Sequence, residues 1–452
     1  MALTLTRPSW AMIRRAVFGD TSLIVWQMVF QNLLRIVSSM VLTRLLSADD
    51  FAVVGVITSV LVTVALVSDI GVGAFIVRDE RTVERRFRDE VWTLRLARGI
   101  ILSVLTAVFA GPLANFMEKP ALAPVIAVAG LTSLIDGLGS LAPIVALRSR
   151  KVRKLIGIDV GAQILGLAIS IGLAAVIGSY WAIILSNLIS QALGVVFSYV
   201  LYDDSSQRWR LSMQRSAELW RFSRFITGST ILTLAITQGD KLILSRLLPL
   251  DVLGLYVIAG GLAMAPMALV SGYAGRILYP LLAEVRREAP ETLAWRFYHD
   301  RMVPTLLYAF AAGGLIGFGP SLIVLLYDPR YTGAGAYLQI MAIAPFFMMG
   351  NYAANEVMIA LGHPRFTFTV NVVRLIYLLV AGWLGWTFLG VIGIVWAVGT
   401  VEVVAQLYGW IALRRQAILD LRYEMLFLLV GGAGLSVGAA ADFVIRHVLK
   451  IA

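Results

Sequence analysis

The chain has 452 residues, of which 59% are hydrophobic and 14% charged, with a mean hydropathy of +0.84, whereas an ordinary globular chain carries about a quarter charged residues. Too few polar positions exist to coat water-soluble cores of this size, so the composition describes an integral membrane protein and excludes soluble enzymes and nucleic-acid binders. The net charge of +11 reports topology first, and without cysteine and with only His299, His363 and His447, scattered along the chain, neither thiol chemistry nor a metal centre is expected.

The opening residues carry Arg7, Arg14 and Arg15. The apolar run behind them is long and lacks a small-residue cleavage site, which predicts an uncleaved first helix. A span needs about 20 apolar residues, and the pattern predicts helices over 18–44, 50–77, 91–115, 122–147, 155–177 and 181–202. Beyond a polar gap, a second set runs over 222–247, 252–280, 302–327, 336–361, 366–388 and 390–413, and a thirteenth helix over 425–449.

Basic residues crowd alternate connections: the N-terminus, 78–90, 148–154, 203–224, 276–301, Arg365, and Arg414 with Arg415 and Arg422. The intervening connections hold only Arg44, Lys119, Arg246 and Arg330. The positive-inside rule therefore predicts a cytoplasmic N-terminus and a cytoplasmic 203–221 linker. No connection is long enough for a nucleotide-binding domain or a catalytic external loop. Any work is expected within the membrane, without a cofactor.

Residues 42–57, LTRLLSADDFAVVGVI, align with 244–259, LSRLLPLDVLGLYVIA, at an offset of 202. Leu42/Leu244, Arg44/Arg246, Leu45/Leu247, Leu46/Leu248 and Asp49/Asp251 are identical. Gly111-Pro112 corresponds to Gly319-Pro320, and Ala146-Leu147 to Ala360-Leu361. An even number of helices per half makes the repeat parallel, related by an axis along the membrane normal. The expected fold is all-α and polytopic, with two six-helix lobes related by pseudo-twofold symmetry around a central cavity. Residues 1–205 form the N-lobe, 206–413 the C-lobe, and 414–452 an additional C-terminal transmembrane helix.

The repeated segments, with LVSDIGVGAFIVRDE over 66–80 and GDKLILSRLLPLDVLGLYVIA over 239–259, resemble the polysaccharide flippases of the multidrug/oligosaccharidyl-lipid/polysaccharide exporter superfamily. The likeness covers about residues 18–413. It implies a multi-pass protein of the bacterial inner membrane that moves undecaprenyl-diphosphate-linked oligosaccharide outward for cell-surface or exopolysaccharide synthesis. The implied partners are the lipid-linked glycan diphosphate, membrane lipids and other polysaccharide assembly proteins, with no nucleic acid and no enzymatic step. Ala52 stands where the family usually has Gly, which predicts a less tight helix junction, and the thirteenth helix extends a twelve-helix core.

Helix 1 carries Gln27, Gln31, Arg35 and Ser39 at i, i+4 spacing, a single polar face. The repeat-related positions are Ser229, Thr233, Thr237 and Lys241, so each half presents a stripe with one cation near mid-membrane. Inserting such a cation costs roughly 2.5–3.5 kcal/mol, which points to function. The alternative is burial against backbone carbonyls, with Lys241 neutralised by Asp240. A diphosphate crossing hydrocarbon needs charge compensation, which guanidinium groups supply as planar donors. Arg35 and Lys241, flanked by Gln31, are therefore the leading substrate-binding candidates. Arg78, Arg98, Arg276 and Arg374 sit about one to two turns inside cytoplasmic helix ends, where they either meet a head group or snorkel to the interface. Arg44 and Arg246 lie at the external mouth, as substrate contacts or anchors. A coupling proton or sodium ion needs an acid, and Asp240, Glu402 and Glu356 are candidates, with Glu402 also placed to pair with Arg374. Asp136 is a further membrane acid. A multidrug or peptidoglycan-precursor exporter of the same superfamily, or a membrane glycan polymerase or ligase, are the competing functions. The polymerase or ligase would need a large external loop that this chain lacks.

Overall fold

The computed structural model describes residues 20–68, 84–148, 152–202, 205–210, 212 and 232–449. All regular structure among these residues is helical. The first half comprises α1 (Asp20–Leu45), α2 (Ala48–Val67), α3 (Arg85–Phe116), α4 (Pro120–Leu138), α5 (Val152–Ile177) and α6 (Trp181–Val200). The second comprises α7 (residues 232–247), α8 (Leu250–Glu288), α9 (Met302–Leu326), α10 (Ala334–Met341 and Ile343–Ala360), α11 (Arg365–Leu389), α12 (Val391–Arg415) and α13 (Leu421–Leu449). Among the described residues, ten helices are long and apolar enough to cross a membrane.

Three expected continuous helices are broken, each for a local reason. The 122–147 stretch stops at Gly139, whose backbone is extended, and resumes as a short helix, Ala142–Arg148. Ser140 organises the break: its amide donates to Ser198 Oγ at 3.0 Å, and its hydroxyl accepts from the Ala142 amide and donates to the Ser205 carbonyl. This break thereby holds the linker between the halves, and α3 holds it too, through Asp89 and Thr93, which accept the amides of Arg208 and Arg210 at 3.0 and 2.8 Å. Helix α8 turns at Met264–Pro266 and widens to a π-helix over Ala274–Leu278. Pro266 has no amide to continue the ladder. Helix α10 breaks at Ala342, ahead of Pro345.

The repeat is structural as well as textual. Leu42 and Leu244 are both buried, as are Leu46 and Leu248, whereas Arg44 and Arg246 are exposed. Pro112 lies inside α3 and Pro320 inside α9. At the face where α1 and α7 end, the halves share one apolar core that joins Val53, Val56 and Met117 to Leu253, Tyr256, Tyr331 and Leu338. Toward the opposite face the cores separate. Phe87, Val91 and Leu141 form one cluster in the first half, and Leu282, Phe297 and Val357 belong to another in the second. The lobes are therefore joined at one face, called here the closed face.

Helices α2 and α8 cross at the lobe boundary. A Cβ on Gly254 would stand 2.0 Å from the Ala48 carbonyl oxygen, so only glycine permits this approach. Ala52, expected to loosen the junction, is fully buried within it; the tight contact is made by Gly254, its repeat counterpart.

Helix α13 runs parallel to α9 along its length. Arg301, ahead of α9, donates to Glu424 at 2.6 Å, and at the other end the Ser321 amide donates to Asp442 Oδ1 at 2.8 Å. In between, backbone meets backbone: a Cβ on Gly313 would lie 2.0 Å from the Gly431 carbonyl oxygen, and one on Gly317 2.2 Å from that of Leu435. Small residues allow such close packing where no hydrophobic effect drives helices together. Helix α13 thus packs into the C-lobe along the length of α9.

Candidate functional site

A cavity of about 960 Å³ opens inside the first lobe, with every lining residue between Gln31 and Gln191. Its end toward the closed face is aliphatic, formed by Leu42, Ile57, Ile183 and Ile184. Further from that face the lining turns polar. Three arginines reach it: Arg35 from α1, and Arg95 and Arg98 from α3. The acid in the lining is Asp136 of α4, and Arg95 Nη2 donates to its Oδ1 at 2.8 Å. Arg98 donates to the Ala65 carbonyl at 3.0 Å and Ser68 Oγ at 2.9 Å, which pins it against the end of α2. Arg35 reaches across the lobe boundary, with Nη2 3.4 Å from the Gly261 carbonyl oxygen of α8. With Asp136 committed to Arg95, the cavity presents surplus positive charge among the described residues, which suits an anion and opposes a cation.

Of the sequence candidates, Arg35, Gln31 and Arg98 come together in this cavity. Lys241 is not among its lining residues, and its Nζ donates to Gln238 Oε1 at 3.4 Å. The expected pairing of Lys241 with Asp240 does not form. Adjacent residues on a helix point about 100° apart, and Asp240 instead accepts the hydroxyl proton of buried Tyr256. Arg276 sits exposed in the π segment of α8. Arg78 lies outside the described residues. Arg44 is exposed at the closed face, where Arg246 pairs with Glu118 at 3.2 Å and covers the Phe116 ring.

Glu402 and Arg374 do pair, at 2.6 Å, and Asn351 Nδ2 donates to Glu402 Oε2 at 2.5 Å. Glu356, with Asn355 Nδ2 at 3.5 Å, lies nearby on α10. Arg374 and Glu402 are thus consumed by one another inside the helix packing, whereas Glu356 makes no ion pair among the described residues.

Sequence reasoning missed two groups. Arg95 lies one turn before Arg98 on the same helix face, a spacing that marks a paired site. Gln163, Asn187 and Gln191 line the cavity from α5 and α6. The signal for the latter was Asn187 and Gln191 at i, i+4 in an otherwise apolar helix.

The closed face is held by a reciprocal clasp. Lys119, between α3 and α4, donates to the carbonyls of Ser245 and Leu248 at the end of α7, the latter at 3.2 Å. From the other lobe, between α9 and α10, Arg330 Nη2 donates to the Thr43 carbonyl at 3.2 Å and the Tyr331 hydroxyl to that of Leu46 at 2.7 Å. Thr43 matches Ser245 and Leu46 matches Leu248 under the 202-residue offset. The repeated Leu-Ser/Thr-Arg-Leu-Leu segment therefore offers the open carbonyls of a helix C-terminus to donors of the opposite lobe.

Comparison with known proteins places this geometry. The profile of the family described as polysaccharide biosynthesis protein matches residues 41–306. The chain is 24% identical over 311 residues to the succinoglycan biosynthesis transport protein ExoT of Rhizobium meliloti (strain 1021), across 69% of this chain and 62% of that protein, less than two thirds of its length. It is 22% identical over 369 residues to the lipopolysaccharide biosynthesis protein WzxC of Escherichia coli (strain K12), across 80% of this chain and 73% of that one. Among solved structures, an inward-facing multidrug resistance MATE family transporter of the MOP superfamily superposes with a TM-score of 0.67 at 15% identity, covering 85% of this chain and 94% of that one. The lipid II flippase MurJ in an inward closed conformation gives 0.67 at 10% identity, covering 94% and 99%. With its paired lobes, its repeat and a family match over more than half its length, the chain is a multi-pass membrane protein that belongs to the polysaccharide biosynthesis protein family and has the fold of the MOP superfamily of transporters.

Proposed function

We propose that this protein is a flippase that carries undecaprenyl-diphosphate-linked oligosaccharide from the cytoplasmic to the outer leaflet of the bacterial inner membrane. The observation that carries the reading is the polar N-lobe cavity, which among the described residues has three arginines and a single carboxylate already committed to one of them. The guanidinium groups hold the diphosphate, and the glycan occupies the remaining volume. Arg35, at the lobe boundary, is the principal contact, with Arg98 and Gln31 beside it; Lys241 and Arg276 of the second lobe meet the head group as the lobes move. The basic connections place the N-terminus and the 203–221 linker in the cytoplasm, which makes the closed face external. Residues 1–205 and 206–413 then rock about the α2–α8 crossing by alternating access, and 414–452 travels with the second lobe. No bond is made or broken in the substrate. Relatives named for succinoglycan and lipopolysaccharide biosynthesis agree with a lipid-linked glycan as cargo.

The test is transport in vesicles containing the purified full chain, comparing an undecaprenyl-diphosphate-linked oligosaccharide with a cationic dye. The lipid is expected to cross and the dye to be excluded. A protein that moves the dye and leaves the lipid in place would be a drug exporter.

A further inference from the structure

The cavity has two unlike walls, and this inference rests on the flippase reading of that same site. One wall, α1 and α3, is cationic. The facing wall, α5 and α6, presents Gln163, Asn187, Ser190 and Gln191 and bears no charge. Asn187 and Gln191 are one helical turn apart and share a face. A Cβ on Gly166 would stand 2.8 Å from Ser190 Oγ, so glycine there lets α5 and α6 close into one continuous surface.

Among the described residues, the side-chain amides of Gln163, Asn187 and Gln191 make no hydrogen bond to the rest of the protein. Polar side chains within membrane helices face a bundle interior or a water-filled cavity rather than lipid and mark a substrate path. Each amide offers two N–H donors and a carbonyl acceptor. That mixture does not match a phosphate, which only accepts, or a polyprenyl tail, which does neither. It matches hydroxyl groups, which do both. None of the described lining residues is aromatic, so a ring held here is held by hydrogen bonds rather than by stacking. The volume of about 960 Å³ lies at the upper end of pockets that enclose drug-sized ligands, room for a diphosphate and at least one ring.

We propose that the α5–α6 wall is the sugar-reading subsite: Gln163, Asn187 and Gln191 bind the neutral, hydroxyl-bearing ring joined to the diphosphate and determine which ring is accepted. A site that hydrogen-bonds hydroxyls discriminates steeply against a ligand lacking them, because its own polar groups are left unpaired.

The test measures both binding to the purified full chain and transport in vesicles. The probes are bare undecaprenyl diphosphate and the same lipid bearing a single glucose, galactose, N-acetylglucosamine or glucuronic acid. Wild-type protein is expected to prefer at least one neutral sugar lipid to the bare diphosphate. In Asn187→Ala/Gln191→Ala that preference falls on the order of tenfold or more, while bare-lipid binding is unchanged. Gln163→Ala, on the other helix, repeats the result if the double variant folds poorly. Arg35→Ala lowers binding of every diphosphate lipid alike. The subsite is overturned if wild type shows no neutral-sugar preference, or if the amide variants lose bare and sugar-bearing lipids equally. A sugar preference in binding without any transport overturns the flippase reading and leaves the subsite standing.

Discussion

Arg35 lies where the cationic wall of the cavity approaches the opposite lobe, with a single long hydrogen bond, to Gly261, among the described residues. A guanidinium so lightly held is ready to exchange that carbonyl for phosphate oxygens, which it meets as a planar fork. Arg35→Ala is expected to reduce lipid transport on the order of tenfold or more, the cost of losing a charge-assisted hydrogen bond, at unchanged expression. Arg35→Lys should recover only part, because an ammonium cannot reproduce the fork. Full transport by Arg35→Ala would remove this residue from the site. Glu402 is the contrasting case. Held by Arg374 and Asn351, it resembles a structural ion pair more than an ion-coupling acid, so Glu402→Gln should leave transport without any new dependence on a proton or sodium gradient.

At the scale of the helix, the contact between α9 and α13 rests on close backbone approach together with a buried ion pair. The α9–α13 contact joins a backbone-close interface to the Arg301–Glu424 pair, in which both side chains are buried and Phe297, Tyr298 and Phe427 surround the guanidinium. Gln406 and Trp410 also donate to Glu424. Removing one member strands a buried charge. Arg301→Met is therefore expected to cost about 3–5 kcal/mol, seen as a large drop in the thermal unfolding midpoint of the detergent-purified protein. Arg301→Met/Glu424→Gln should restore much of it, and equal losses in the single and double variants would mean that packing, not charge, sets the effect. Gly317→Val should also unfold early, since its side chain collides with α13 backbone. In the first half, α3 packs backbone-close on α4, where a Cβ on Gly99 would stand 2.5 Å from the Ser133 carbonyl oxygen, while Ile101, Val104 and Val108 remain exposed as a lipid-facing surface.

For the whole molecule, the clasp predicts how the closed face opens. Lys119→Ala combined with Arg330→Ala removes donors from both symmetry-related C-termini and should lower the population closed at that face. In this naturally cysteine-free chain, cysteines placed at Thr43 and Arg330 report closure by crosslinking. Crosslinking should fall in Lys119→Ala, whose lysine is not part of the probe pair, and unchanged crosslinking would assign closure to the apolar core alone. Burial lowers the pKa of Lys119, opposed in part by Glu118. The sign follows from proton counting: with the lobes parted Lys119 regains solvent and its ordinary pKa, so between the two values the open form binds more protons. Raising the pH through that interval should favour closure, and a crosslinking yield that falls instead would remove Lys119 from the clasp. The same scale sets the driving force. An anion moving outward gains about 2.3 kcal/mol per charge per 100 mV of inside-negative potential. Transport in vesicles clamped with valinomycin and potassium should follow the potential; a rate that ignores it and tracks a proton or sodium gradient would assign coupling to Asp240 or Glu356.

Membrane class, most helix positions, the repeat and the Arg374–Glu402 pair were legible in the sequence. Hydropathy is a property of the chain alone, because lipid imposes the same demand on every span regardless of its neighbours. The repeat needed only alignment, and Arg374 and Glu402 lie on consecutive antiparallel helices, where the partner is close at hand. The tertiary structure decided which polar side chains share a space. Arg95 and Asp136 meet across 41 residues, Arg301 and Glu424 across 123, and Arg35 and Gly261 across 226. Such meetings depend on how far each helix is rotated about its axis and where it touches its neighbour. Polar stripes on α1 and α7 were visible in the sequence, but their pseudosymmetry did not require them to face the same void. Packing placed the cavity within α1–α6 and committed Arg374 to Glu402. It also turned Gln163, Asn187 and Gln191, three amides without a motif, toward one shared cavity between helices that hydropathy alone treats as uniform apolar spans.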